Sequence, residues 1–308
     1  MANPKGKPGR SAFTAERLAR ALLLICAVVA IFAVCAITLY LFAKGLPALH
    51  RVGVGELLFG TVWKHTAAEP SFGIAYIILS SIVGTAASVL LGVPIGLLTA
   101  VFLTEVSGKT LAKVVQPAVE LLAAIPSVIY GLLGMMLLNP LLYKLEKAVF
   151  AGSSTHQYTG GADLLAAVIV LAIMILPTVI SGSGAAVRAA PRCLRAASLA
   201  LGASKMQTIR RVTVPAAKSG ILTGVVLGIG RALGEAMAIN MVAGGAVNLP
   251  LPSNSVRFVT TQLAGETGYA EATHRQVLFT VGLVLYLFIM IVNLVLQRVR
   301  GEEGKDNG

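Results

Sequence analysis

The sequence predicts an all-α integral membrane protein with six transmembrane helices and both termini in the cytoplasm. Three observations carry this. Of its 308 residues, 56% are hydrophobic and only 12% charged, about half the charge of an ordinary soluble domain. Six segments are long and apolar enough to cross a bilayer, which takes roughly 20 residues each. They lie at 19–43, 73–103, 114–138, 163–187, 219–243 and 276–297. The 25 Lys and Arg residues are spread unevenly between them. This composition excludes an ordinary cytosolic enzyme and a disordered tail. The net charge of +12 comes from residues set between apolar runs. It therefore signals membrane orientation and no nucleic-acid partner.

The elements follow in order. Residues 1–18 form a basic cytoplasmic arm, and Lys5, Lys7, Arg10, Arg17 and Arg20 lead into the first apolar run and count with that arm. The apolar run from Ala21 to Ala43 is too long for a signal-peptide core, so 19–43 reads as an uncleaved first transmembrane helix. Residues 44–72 form a periplasmic loop, and 73–297 a core with five further spans. Pro94 predicts a tilt or break in the second span. Cytoplasmic segments hold 17 Lys and Arg residues, the alternate loops hold 7, and Arg231 lies within a span. The positive-inside rule then places both termini and the 188–218 loop in the cytoplasm. The tail, 298–308, reads as disordered. Cys26, Cys35 and Cys193 form no disulfide framework and read as small apolar residues.

Small residues predict how the spans pack. Ser80, Gly84, Ser88, Gly92 and Gly96 recur at i+4, as do Gly220, Gly224 and Gly228, with Gly230 and Gly234 as a second row. Such rows let another helix backbone come close. They do not say whether that helix belongs to this chain or to another.

The cytoplasmic stretch 191–215 carries the first candidate site. It reads as a short helix ending at Gly202, a second short helix, and Pro215 before re-entry into the membrane. Leu194, Leu199, Leu201, Met206 and Ile209 give it an apolar component that a plain linker does not need, as expected of a docking element. The stretch resembles the EAA loop of bacterial ABC-importer permeases. Ala196, Ala197 and Ser198 take the first three places of that pattern, Gly202 its glycine, Val212 and Val214 its aliphatics, and Pro215 its proline. The family's glutamate is replaced by Ala196. The resemblance implies a type I ABC-importer permease fold, with this loop as the coupling loop that docks on cytoplasmic ATP-binding subunits.

The second candidate is Gly230-Arg231-Ala-Leu-Gly234-Glu235 in the fifth span. Arg231 lies near the bilayer midplane, where an arginine is costly unless it is paired or faces water. Glu235 follows at i+4, within salt-bridge reach on a continuous helix. The pair is either a structural ion pair or the core of an anion pathway, in which the guanidinium meets an oxyanion. This motif, with Ala236-Met237-Ala238, resembles the phosphate importer permeases called PstC and PstA. So does Ile125-Pro126-Ser127-Val128-Ile129-Tyr130-Gly131 in the third span. The first span and the 44–72 loop suit the PstC-type subunit better.

That resemblance implies a transmembrane subunit of an ATP-driven phosphate importer, in the bacterial cytoplasmic (inner) membrane. A permease for sulfate, molybdate or tungstate is the alternative. The implied partners are a second homologous permease subunit, a phosphate-binding protein at the outer face, ATP-binding subunits and the lipid bilayer. No catalytic residue, cofactor or metal is expected. An intramembrane enzyme would need more ionisable groups at depth, and a stand-alone channel would leave the 191–215 loop unexplained. Ser107-Gly108-Lys109-Thr110 imitates the end of a P-loop, but Leu103 stands where its first glycine would be. Glu120 reads as an interfacial carboxylate. His50, His65, His156 and His274 lack metal-ligand spacing and read as solvated.

Overall fold

The computed structural model describes residues 10–66, 70–153 and 156–305. The chain begins with α1 (Arg10–Val52) and a short α2 (Val54–Phe59). A two-stranded antiparallel hairpin follows, β1 (Trp63–Lys64) and β2 (Ser71–Phe72), in the register Trp63 to Phe72. Helix α3 (Ala75–Val101) runs unbroken through Pro94 into a π-helical turn at Phe102–Val106. Ser107 and Gly108 are extended and lead into α4 (Lys109–Ala124). The P-loop-like tetrapeptide thus follows no strand.

The third span differs from the expected 114–138. Ile125 is extended, with φ −66° and ψ 126°, because the ring of Pro126 disfavours the helical conformation in the residue before it. Helix α4 stops there. The crossing is instead Ser127–Val149, made of α5 (Ser127–Leu133), a π-helical turn and α6 (Asn139–Val149).

The fourth crossing is α7 (Leu164–Ala189). The stretch 191–215 holds α8 (Arg192–Ala200), α9 (Lys205–Thr208), a π-helical turn and the start of α10 (Val214–Ala216). The segment Lys205–Ala216 meets α11 (Lys218–Gly234) at a bend of 70°. After a break come α12 (Met237–Val242), α13 (Val259–Glu266) and α14 (Ala272–Lys305). Among the described residues, five helices are long and apolar enough to cross a membrane, or six where the bent pair counts as one span. The last helix reaches Lys305, so helix replaces the disordered tail expected over 298–305.

The structure tells which helices the small residues serve. Ser80, Gly84, Ser88, Gly92 and Gly96 are all buried on α3, which packs against α7. A Cβ on Gly92 would come within 2.7 Å of Ile175, and one on Gly96 within 2.9 Å of Val179. From the other side, a Cβ on Gly220 would meet Ala186, one on Gly224 the backbone of Gly182, and one on Gly228 Val179. Both rows therefore serve α7, which lies between α3 and α11 within this chain. Gly230 and Gly234 are different: nothing lies within 4 Å of a Cβ on either.

Helix α1 leans on α14. Thr38 hydrogen-bonds Tyr286 at 2.9 Å and Tyr40 meets Phe279 edge-on. From residue 17 to residue 37 α1 is exposed, and large apolar side chains such as Leu23, Phe32 and Leu39 face outward, as lipid contact requires. Cys26 and Cys35 share that exposed surface.

Asp163 caps α7 by accepting the Ala166 N–H at 2.9 Å. It is 3% exposed. Burial pushes its carboxyl up to about 6; the Ala166 N–H lowers it, and the charge of Glu146 raises it. The folded state thus holds a proton that the unfolded chain has lost between about pH 4 and 6. The stability contributed by that proton is present below the unfolded value and is lost as pH rises to about 6. Asp163→Asn keeps the cap acceptor without the charge. It is expected to melt no lower than wild type at pH 7.5, with the difference shrinking as pH falls towards 5. Asp163→Ala lacks the cap acceptor as well and should be about 1 kcal/mol less stable than Asp163→Asn at either pH. Equal losses in Asn and Ala by thermal melting would refute this account.

Candidate functional site

The two candidate sites lie at different depths. In the first, α8 ends at Ala200 with Leu201 as its C-cap, and Gly202 takes φ +82°, a left-handed conformation that suits glycine. The turn is closed by Gly202 N–H to Leu199 O (3.0 Å) and Ala203 N–H to Ser198 O (3.2 Å). Ser204 then starts α9 with a capping box: its hydroxyl accepts from Gln207 N–H while Gln207 accepts from Ser204 N–H. Across the turn, Ser198 and Thr208 hydroxyls bond at 2.9 Å. The element is a compact helical pair, as the apolar and glycine pattern predicts.

Its surface is unusual for a soluble loop. Ala196 and Ala197 are exposed, and Leu194, Leu199, Leu201 and Met206 are 44–89% exposed. Ile209 is instead buried, at 5%. Val212 and Val214 are half-buried and Pro215 exposed, at the bend into the membrane helix. Cys193 is exposed on the same element.

Sequence reasoning missed Glu105. This residue, on the π-helical turn after α3, pairs with Arg195 of α8 at 2.7 Å. Arg195 also donates to Val187 O at 2.5 Å. Ala196 has no carboxylate, yet a carboxylate from a separate span holds its neighbour. The only signal was an isolated acid at the end of an apolar run.

The second site departs from expectation. Helix α11 ends at Gly234, and Glu235 is extended, with φ −75° and ψ 127°. Arg231 and Glu235 are therefore not i+4 neighbours on one helix, and among the described residues no ion pair joins them. The Glu235 carboxylate accepts the Ala238 N–H at 2.9 Å, satisfying a free donor at the start of α12. Its carbonyl accepts from Thr260 at 2.7 Å.

Arg231 stands about 20 Å along α11 from Lys218, at 1.5 Å per residue. It is half-buried. Its Nη1 lies 3.4 Å from the Thr178 hydroxyl of α7, a long contact. In the expected motif over 125–131, the Tyr130 hydroxyl donates to Leu122 O at 2.7 Å. The uncovered glycines Gly230 and Gly234 lie beside the arginine, so the open side of the bundle and the half-buried charge coincide.

The remaining candidates separate. Glu120 is exposed on α4, and Gln116 donates to it at 3.3 Å. His156 stacks on Phe150 and sits 2.9 Å from Glu146. His274 is 7% exposed and His65 stacks on it at 4.3 Å. These three histidines are held in packed networks, which corrects the expectation of solvated side chains. The His50 side chain lies outside the described residues, as do residues 1–9 of the arm.

The family model for the binding-protein-dependent transport system inner membrane component matches residues 92–300. A probable ABC transporter permease protein, YqgH of Bacillus subtilis, is 39% identical over 91% of this chain and 90% of its own length. The phosphate transport system permease protein PstC of Haemophilus influenzae is 31% identical, covering 86% of each chain. Among solved structures, a bacterial ABC transporter involved in the import of the acidic polysaccharide alginate aligns with a TM-score of 0.62. It is 16% identical, over 94% of this chain and 98% of that one. The MetNI methionine ABC transporter aligns at 0.54 and 21% identity, over 75% of this chain and 95% of that one. At such identities the structures speak for the fold alone.

Proposed function

Because this chain belongs to the binding-protein-dependent transport system inner membrane component family, as a multi-pass permease subunit of an ABC importer, we propose that the anion it carries is inorganic phosphate. The observation that carries this reading is Arg231, a permanent cation at mid-depth on the uncovered side of the bundle. A guanidinium offers a tetrahedral oxyanion paired donors. Thr178, Ser181 and Arg188 continue from it along one face of α7 by helical spacing. Arg188 lines a cavity with Thr104, Gln116 and Glu120. A polar route from Arg231 towards the 191–215 end follows. The similarity to PstC proteins over most of the chain supports phosphate and the PstC-type assignment.

In this reading both termini and the 191–215 loop are cytoplasmic. ATP-binding subunits dock on the exposed apolar residues of α8 and α9. A second homologous permease covers Gly230 and Gly234 and closes the pathway, and a phosphate-binding protein delivers the anion from outside. ATP hydrolysis resides on the docked subunits.

Competition tests the substrate. Uptake of labelled phosphate by the reconstituted complex is expected to be abolished by excess unlabelled phosphate. It should be unaffected by equal sulfate, molybdate or tungstate. Labelled sulfate or molybdate uptake with no phosphate competition would overturn the phosphate reading and leave an oxyanion importer of another class.

A further inference from the structure

At the end of the bundle opposite the 191–215 loop, three side chains from distant parts of the chain converge. His65 follows strand β1, Glu266 ends α13, and His274 lies in the first turn of α14. One ligand atom of each lies within 4.8 Å of those of the other two. We propose that His65, Glu266 and His274 form a binding site for a divalent transition-metal cation, with zinc the best fit.

The donor set suits the ion. Two imidazoles and one carboxylate favour zinc or a similar metal over magnesium or calcium, which prefer oxygen ligands alone. Zinc bonds of about 2.0–2.2 Å place tetrahedral ligand atoms about 3.3 Å apart. The Glu266 Oε2 to His274 Nε2 distance is already 2.8 Å. His65 is half-buried, its ring 19° from parallel with that of His274. Only the far corner of the triangle has to close.

The surroundings hold the carboxylate in place. Trp63 Nε1 donates to Glu266 Oε2 at 3.1 Å and Gln262 Nε2 at 2.6 Å, while Arg257 Nη1 meets Oε1 at 2.6 Å. Such outer contacts orient metal ligands and tune their affinity. The Arg257 charge on Oε1 weakens Glu266 as a ligand, and on Oε2 the ion displaces one of the Trp63 and Gln262 donors. A pocket lined by His65, Thr66, Tyr269, Glu271 and His274 opens onto the cluster. That pocket gives water access as a fourth ligand.

Bound metal would pin the hairpin to the start of α14. The site depends on no part of the phosphate reading, and its test needs no transport. The complex in nanodiscs, stripped with chelator and dialysed against Zn2+ alone, is expected to retain one Zn2+ per copy of this chain above a preparation carrying His65→Ala. His65→Ala should weaken binding on the order of tenfold or more. His65→Cys, which restores a zinc ligand, should recover most of it. Equal zinc in wild type and His65→Ala would overturn the site. So would equal loss in both variants, which would make His65 a packing residue. Wild-type protein gives an independent reading with Co2+. The intense visible absorption of a four-coordinate ion is expected, and the weak spectrum of a six-coordinate ion would overturn the proposal.

Discussion

Gly202→Val is expected to insert normally into the membrane but to lose most of its co-purifying ATPase and most of its uptake. The reason lies in the backbone. Nothing lies within 4 Å of a Cβ at this position, so the substitution clashes with no neighbour. But φ is +82°, where a β-branched residue is a genuine outlier. Holding such a residue in the left-handed region costs about 1–2 kcal/mol. To relieve it, the turn between α8 and α9 must reopen, disturbing the Ala203 to Ser198 bond and the Ser198–Thr208 contact. The exposed Leu194, Leu199 and Met206 then lose their common arrangement. A shift of that size changes a docking equilibrium by roughly 5–30-fold. Gly202→Asn, which tolerates the left-handed conformation, should retain more activity than Gly202→Val. Normal ATPase recovery and uptake in Gly202→Val would sink the docking role of the loop.

Much of this loop was legible in the sequence, because its signals are local. A glycine after a short apolar-periodic run marks a helix end, and Ser204 with Gln207 three residues on marks the next start. The small-residue rows were legible for the same reason, since i+4 spacing needs only helix geometry. Their partner was not, and α7 serves both rows by tertiary placement. The third span was shifted because 109–149 is apolar over most of its length. One proline decides where the helix breaks. The outer cluster was invisible because His65 and His274 come from the two ends of the chain. The Glu105–Arg195 pair joins two segments in the same way, and no spacing rule reports it.

The Arg231–Glu235 pair shows the opposite failure. An i+4 spacing on an assumed continuous helix gave a contact that the extended backbone of Glu235 removes. This changes what mutagenesis should find. A buried ion pair predicts that each single neutral substitution is costly and that the double change recovers. With Glu235 capping α12 and Arg231 facing Thr178, the two act separately.

Arg231→Gln is therefore expected to assemble normally and to lose phosphate uptake by roughly tenfold to 150-fold. That range corresponds to the ~1.5–3 kcal/mol carried by hydrogen bonds to a charged group. Assembly survives because Arg231 leaves no buried partner carboxylate behind. Glu235→Gln keeps an oxygen for the Ala238 N–H and should reduce uptake little. Glu235→Ala removes the cap acceptor and should destabilise the break by about 1 kcal/mol. The double Arg231→Gln, Glu235→Gln should match Arg231→Gln alone, with no rescue. Complex yield and labelled-phosphate uptake for the three single variants and the double variant decide it. Rescue in the double variant would restore the ion pair. Full uptake in Arg231→Gln would remove the arginine from the pathway, and with it the observation on which the phosphate reading rests.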